Sequence, residues 1–474
     1  MPAGASAWTP SWRPRSSGPP PPGTRWPGSR AGCSDRAPAP PPRAARGRPG
    51  TQALARLILA VVAGLGLVGS CLAIARVPNL AWAPRTFLLL FGVAFACYGL
   101  GAWRLCELRG RGPLLVVLVV AAASRVALLP AAPTLSTDAY RYVWDARVAG
   151  AGISPYAYPP DAPELVPLRD EAVYPRLNHR SWRTIYPPAA QALFRFVYAL
   201  AADSVLAMKM ALGLLELAGL AALLGLLRAL GAPPSRAVIY AWNPLVLVET
   251  WGSAHLDAAV VPLVVGAAWA ATRHRRALAA VLLGAGTLVK LYPAALLPLL
   301  LGPGSLPAVG AFAAVVAGGY VLPAITGLEV VGSLPRYLTQ EYFNPGLIRS
   351  VIDAPWVTVG ALALWVMAAS AWRRRAPFAE RAIPLIGGSV LLSPNVFPWY
   401  AVWLVPFLAV MPSLPWLAFT GTLALAYAFF LPTPWAIPWW ARVLEALPLA
   451  IGAAAWLGRH RLLITLKKRR PGLT

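Results

Sequence analysis

The sequence predicts an all-α polytopic membrane protein, and three observations carry that prediction. The chain of 474 residues is 58% hydrophobic and 12% charged, too apolar to cover a soluble domain. Apolar runs recur along it, many near the roughly 20 residues a helix needs to cross a bilayer. Its basic residues gather in short clusters between those runs, as in the cytoplasmic loops of membrane proteins. Net charge is +25; scattered over loops in this way, it argues for orientation in a membrane rather than for a nucleic-acid partner.

Residues 1–50 are rich in Pro, Arg, Gly and Ser and are expected to form a disordered cytoplasmic arm. The arm lacks the apolar core and cleavage site of a signal peptide; weak contact with anionic lipid would suit its composition. Spans are expected at 54–76, 86–103, 113–132, 207–227, 237–251, 256–272, 277–303, 306–326, 357–372, 382–411, 413–431 and 442–459. The runs 277–303 and 382–411 contain interior prolines and read as single spans or as pairs of short helices, giving about 12 to 14 crossings. The membrane domain, 51–462, is followed by a basic tail, 463–474. Arg104, Arg109, Arg111, Arg228, Arg236, Arg273, Arg275, Arg276 and Arg373–Arg375 are assigned to the cytoplasm with both termini. Residues 133–185 then lie outside, with six of the chain's 17 acidic residues. Residues 186–202 are weakly apolar and contain Arg195; they read as an amphipathic helix on the outer surface, or as a tilted spanning helix. Cys33, Cys71, Cys97 and Cys106 form no CxxC pair and suggest no disulfide framework.

The outer segment opens with "TLSTDAYRYVWDARVAGAGISPYAY". Ser136 or Thr137 can cap a helix beginning near Asp138, and Gly150 or Gly152 can end it. On that helix Asp138, Arg141 and Asp145 share one face, while Tyr140, Trp144 and Arg147 occupy another. A carboxylate there can accept a proton from a hydroxyl, and the arginines can hold a phosphate. The same spacing equally makes two surface ion pairs, each contributing roughly 0–1 kcal/mol. "ETWGSAHLDAA" puts Glu249, His255 and Asp257 at the outer ends of two spans, where ionisable groups are costly and usually functional; Ser253 and Asp257 also suit helix caps. Lys290, followed by Tyr292, lies in an apolar run and can serve a site or snorkel to the interface. Trp399, Tyr400 and Trp403 fit an aromatic belt. His255-x-Asp257 offers two metal ligands without a third, so no metal and no cofactor is expected, a divalent cation being the one still open.

The motifs "TDAYRYVWDARVAGAGISPYAY", "TIYPPAAQALF", "NPLVLVETWGSAHLDA", "LVKLYPAALLPLLL" and "PWYAVWLVP" occur in this order across about residues 113–410. This arrangement resembles the GT-C membrane glycosyltransferases, and among them the bacterial polyprenyl-phosphate-mannose-dependent mannosyltransferases, including glycosyltransferase family 87 and the actinobacterial α-1,6-mannosyltransferases. The resemblance implies a GT-C-type bundle with a large first extracytoplasmic loop, in the plasma membrane. It implies a sugar donor carried on polyprenyl phosphate, a glycolipid or glycan acceptor, and an inverting transfer of mannose. Asp138 takes the position of the acidic residue that serves as base. Arg141, Arg147, Arg183 and Lys290 become the cations for the phosphate. Asp145, Tyr186, His255, Asp257, Tyr292 and Tyr400 become further substrate contacts. Family members commonly have Gly ahead of the His of the "HLD" motif, where this chain has Ala254. The competing expectation is a flippase for lipid-linked saccharides, which would place ionisable groups through the bundle at mid-depth; the sequence gathers them at one face. A purely structural envelope protein would not need Asp138, Lys290 and His255 to converge.

Overall fold

The computed structural model describes residues 49–325, 327 and 329–469. The expected arm falls outside the described residues except for its last two, as do positions 470–474 of the expected tail. Every regular element among the described residues is helical; a lone antiparallel bridge joins Pro345 and Asn395.

The chain begins with α1 (Pro49–Ala75), α2 (Pro84–Leu105) and α3 (Arg111–Leu128). The segment that the sequence assigns to the outer side, here called the outer segment, follows with α4 (Asp138–Gly150) and α5 (Pro188–Leu200), then α6 (Val205–Ala229). The run expected to span as one helix at 237–251 is broken into α7 (Val238–Ala241), α8 (Pro244–Leu247) and a π-turn at Val248–Gly252. Pro244 supplies no N–H and disfavours helical backbone at Asn243. The Asn243 side chain instead accepts the Leu245 N–H at 3.0 Å and starts the next helix. After α9 (Asp257–Thr272), α10 (Arg276–Val289) gives way to a 3₁₀ segment, Tyr292–Leu300. The rest is α11 (Leu306–Ile325), α12 (Leu334–Gln340), α13 (Pro355–Ala371), α14 (Phe378–Leu392), α15 (Val405–Val410), α16 (Leu414–Thr422) and α17 (Trp439–Arg469). Among the described residues six helices are long and apolar enough to cross a membrane: α1, α2, α3, α6, α11 and the first part of α17.

The passes run back and forth between two ends of the bundle. At one end Arg236 pairs with Glu107 at 2.6 Å, and Arg276 donates to the Pro303 carbonyl at 2.9 Å. At the other end, segments 79–82, 133–142, 289–292, 334–343 and 397–400 surround a cavity. Both proline-containing runs prove to be pairs. From Arg276, α10 reaches the cavity, and Tyr292–Leu300 returns to Pro303. Likewise α14 leads to the cavity turn Pro398–Ala401, and α15 returns to bring the Val410 carbonyl 3.4 Å from Arg236.

In the outer segment, the Asp138 N–H meets Ser136 Oγ at 3.3 Å, and Gly152 takes a φ of 80° just beyond α4. These are the punctuation residues expected from the sequence. At 13 residues, α5 is about 20 Å long and too short for a hydrocarbon core of about 30 Å. It buries Gln191 and Phe194 instead and packs along α4.

Not all ionisable groups lie at the cavity end, contrary to the expectation. Arg125 in α3 and Glu216 in α6 form a fully buried two-point ion pair at 2.6 and 2.9 Å. Arg125 Nη1 also donates to the carbonyls of Ala121 and Ala241, and Trp251 Nε1 donates to Glu216. Lys209 donates to the carbonyls of Leu128, Leu129 and Ala131, capping the free C-terminal carbonyls of α3. These charges are closed on themselves and tie α3, α6 and α7 together.

Removing one partner of such a pair strands a buried charge, at a cost of about 3–5 kcal/mol, whereas replacing both by apolar side chains is often close to neutral. Arg125→Met or Glu216→Leu alone should therefore lower the thermal unfolding temperature in detergent sharply. The double substitution should recover most of the loss. Equal losses for single and double variants would show that packing, not charge pairing, holds this contact.

Candidate functional site

The cavity has a volume of about 860 Å³, within the range of sites that hold small molecules. Its polar wall comes from α4 and the 175–187 loop. The opposite wall comes from Asp257, Lys290 and Tyr292, and from Tyr337, Glu341 and Tyr400. An apolar rim includes Trp82, Phe429, Phe430 and Trp435, of which Trp82 and Trp435 are exposed.

Asp138 opens α4 and faces this cavity half-buried. One carboxylate oxygen accepts from Asn178 Nδ2 at 3.0 Å; among the described residues the other accepts no hydrogen bond, and no cation pairs with the group. Burial raises its proton affinity above that of an ordinary carboxylate, against the smaller opposing effects of Asn178, Lys290 and His179.

One turn and more along the same face, Asp145 is not a surface residue as the spacing allowed. It is buried, and it accepts from Arg141 Nε at 2.8 Å, Thr184 Oγ1 at 2.5 Å and Gln191 Nε2 at 2.9 Å. Arg141 lines the cavity, but Nη2 donates to the Trp182 carbonyl at 2.9 Å. The expected phosphate cation is thus engaged in holding the loop.

Lys290 ends α10, where the chain turns back. Its Nζ lies 2.6 Å from Asp257 Oδ2 and 4.3 Å from the centre of the Tyr400 ring. The Tyr400 hydroxyl is 3.0 Å from that of Tyr337, and the Tyr292 ring packs against Tyr400. Lys290 is one-fifth exposed, so a cation held in place on one side remains open to the cavity on the other.

The remaining expected residues separate. His255 is buried behind the wall, stacked on Trp399 at 3.7 Å, with Nδ1 3.5 Å from Glu249. Ala254, before it, has a φ of 60°, where an L-residue is strained by about 1–2 kcal/mol and glycine is at ease. Arg147 points away from the cavity and binds Asp170, Asp203 and the Leu168 carbonyl; it braces the outer segment. Those contacts hold the Asp170 carboxyl well below the usual carboxylate range, Arg147 being the main cause. Arg183 lies at the rim and pairs with Glu329 at 2.6 Å. Tyr186 lines the cavity, its ring against Tyr142. Among the described residues no three His, Cys, Asp or Glu side chains come together so as to hold a metal ion. Asn178, His179, Tyr337 and Glu341 line the site without having been singled out; they sit in loops and a short helix that show no apolar periodicity.

Residues 51–302 match the family described as alpha-(1->6)-mannopyranosyltransferase, N-terminal domain. No curated protein matches the chain. The matched region contains α1 to α10 and the returning 3₁₀ segment, and with them Asp138, Asp257 and Lys290. The wall carrying Tyr337, Glu341 and Tyr400 comes from beyond it.

Loss of the Asp145 charge leaves Arg141 buried and unpaired, a penalty of about 3–5 kcal/mol. Asp145→Asn should therefore lower the unfolding temperature and the yield of folded protein, in contrast to Asp138→Asn, whose carboxylate pairs with no cation. Comparable thermal stability of the two variants would contradict the buried arrangement.

Proposed function

This chain belongs to the alpha-(1->6)-mannopyranosyltransferase family, and we propose that it moves mannose from a polyprenyl-phosphate donor to a glycolipid or glycan acceptor at the extracytoplasmic face, with inversion. The observation that carries the reading is a single cavity holding an unpaired carboxylate, Asp138, and a positioned cation, Lys290.

In this reading the acceptor hydroxyl attacks the anomeric carbon and gives its proton to Asp138. The bond from that carbon to the phosphate oxygen breaks, and the phosphate leaves as an anion. The leaving group is stable as an anion, so no general acid is required. Its charge is met by Lys290, which Asp257 and Tyr400 keep in place. The raised proton affinity of Asp138 makes it a better base than a solvated carboxylate. The apolar rim of Trp82, Phe429, Phe430 and Trp435 supports a donor that reaches the cavity on a hydrocarbon chain. The flippase alternative loses ground because Arg125, Lys209 and Glu216 are closed in pairs or caps rather than lining a path.

General-base catalysis contributes on the order of 10²- to 10⁴-fold. With polyprenyl-phosphate mannose in reconstituted membranes, Asp138→Asn should lower kcat by about that much, with unfolding temperature unchanged. Burial holds the Asp138 proton at higher pH than in a free carboxylate, so the acid limb of the wild-type rate profile should lie above about pH 4. Transfer from GDP-mannose without a lipid carrier, or full activity of Asp138→Asn, would refute the reading.

Sidedness is checked separately. In a cysteine-free background, a membrane-impermeant thiol reagent applied to intact cells should label a cysteine at Glu164, exposed in the outer segment. A cysteine at Arg374, exposed at the opposite end, should react only after permeabilisation. The reverse pattern would place the cavity in the cytoplasm.

A further inference from the structure

The Asp138 side chain accepts one hydrogen bond, from Asn178 at 3.0 Å. Asn178 lies in irregular backbone, so something else must hold it. The next residue, His179, has a φ of 43°, a left-handed conformation that costs a residue other than glycine of order 1–3 kcal/mol and persists only where its surroundings enforce it. The enforcement is visible. The His179 ring stacks on Trp182 at 4.4 Å, and its carbonyl accepts the Trp182 N–H at 2.8 Å. Its Nε2 lies 2.8 Å from Glu341 Oε2, in the geometry of an ion pair rather than a straight hydrogen bond.

Glu341 belongs to the chain beyond α11, and it is fixed from its own side. Its carbonyl accepts from Asn395 Nδ2 at 2.9 Å and from Arg349 Nη1 at 2.6 Å. The segment leading to it is laid against the 182–184 stretch. The Ser333 N–H donates to the Thr184 carbonyl at 3.1 Å, and Arg336 covers the Trp182 ring at 4.9 Å. Gly332 approaches the Thr184 carbonyl so closely, at a φ of 55°, that a Cβ would collide with it.

We propose that Asn178 is a positioning residue for Asp138, and that Glu341 acts through His179 to hold Asn178 in place. The orientation of the base is thereby set by the docking of segment 329–341 on the outer loop. The half of the chain outside the family match thus contributes to the chemistry of the half inside it. The inference rests on the reading of Asp138 as the base.

The titratable groups coupled to Asp138 are Lys290, His179, Glu341 and Asp257, with the phenols of Tyr142, Tyr186, Tyr337 and Tyr427. The amide N–H of Asn178 stabilises the ionised carboxylate, so its removal raises the proton affinity of Asp138. Asn178→Ala should therefore move the acid limb of kcat/KM to higher pH and lower kcat by about 10- to 100-fold, the scale of a misplaced group, with donor KM little changed. Asn178→Asp offers an acceptor in place of the donor and should move the limb the same way, which covers a failure of the alanine variant to fold. If Glu341 acts through Asn178, Glu341→Ala lowers kcat in the wild type but adds nothing to Asn178→Ala, a non-additive cycle. An unmoved acid limb in both Asn178 variants, or additive losses in the cycle, overturns the proposal while Asp138→Asn remains inactive. Activity retained by Asp138→Asn would instead refute the base assignment itself.

Discussion

The arrangement of the site depends on the carboxylate of Asp145. It is buried and accepts hydrogen bonds from Arg141 on α4, Thr184 on the loop and Gln191 on α5. The loop at Thr184 and the start of α5 at Gln191, 39 and 46 residues beyond Asp145, are thereby locked to α4 at one point. Arg141, held by Asp145, passes the constraint on to the Trp182 carbonyl. Asp138, half-buried on that face and lining the cavity, then has a fixed wall to work against. A buried charge tolerates few alternatives, because each one strands a donor or a charge away from water. The outer segment is consequently a rigid part of the fold, as preorganised chemistry requires.

The sequence made α4 legible to its ends, because Ser136, Asp138 and Gly152 punctuate a helix that follows a long apolar run. It also placed Asp138, Asp257, Lys290, Tyr292 and Tyr400 at one end of the bundle, since the spans between them determine which end each residue reaches. Burial was not legible. The Arg141–Asp145 spacing is the same for a solvated pair and for a covered one, and the cover comes from residues about 40 positions away, with Thr184 at 39. Arg125, Lys209 and Glu216 were overlooked because each is a single charge in an apolar run, and the Arg125–Glu216 contact spans 91 residues. The break at Asn243–Pro244 is written in the Asn-Pro pair itself, a helix-boundary signal that the apolar residues on either side outweigh in a reading by hydropathy. Loop residues such as Asn178 and Glu341 carry no periodic signal, and only the fold brings them together.

Ala254 shows how a departure from a family pattern can be understood after the fact. The turn between the π-segment and α9 requires left-handed backbone at this position, which explains a preference for glycine there. The chain keeps the turn with alanine, so His255 still stacks on Trp399 and Asp257 still reaches Lys290.

The closed pair between Arg125 and Glu216 has a consequence for how the protein is made. Arg125 lies in the last turn of α3, where a lone helix still meets a cost on entering lipid, smaller than the about 2.5–3.5 kcal/mol of a central arginine, and α3 emerges from the ribosome long before α6 supplies its counter-charge. Between the two lies the whole outer segment, which in the proposed orientation must already be translocated. The third helix is thus expected to wait beside the insertion machinery, unreleased into bulk lipid, until the sixth arrives. Folding of the 133–202 segment and lateral release of the first four spans become a single step of biogenesis.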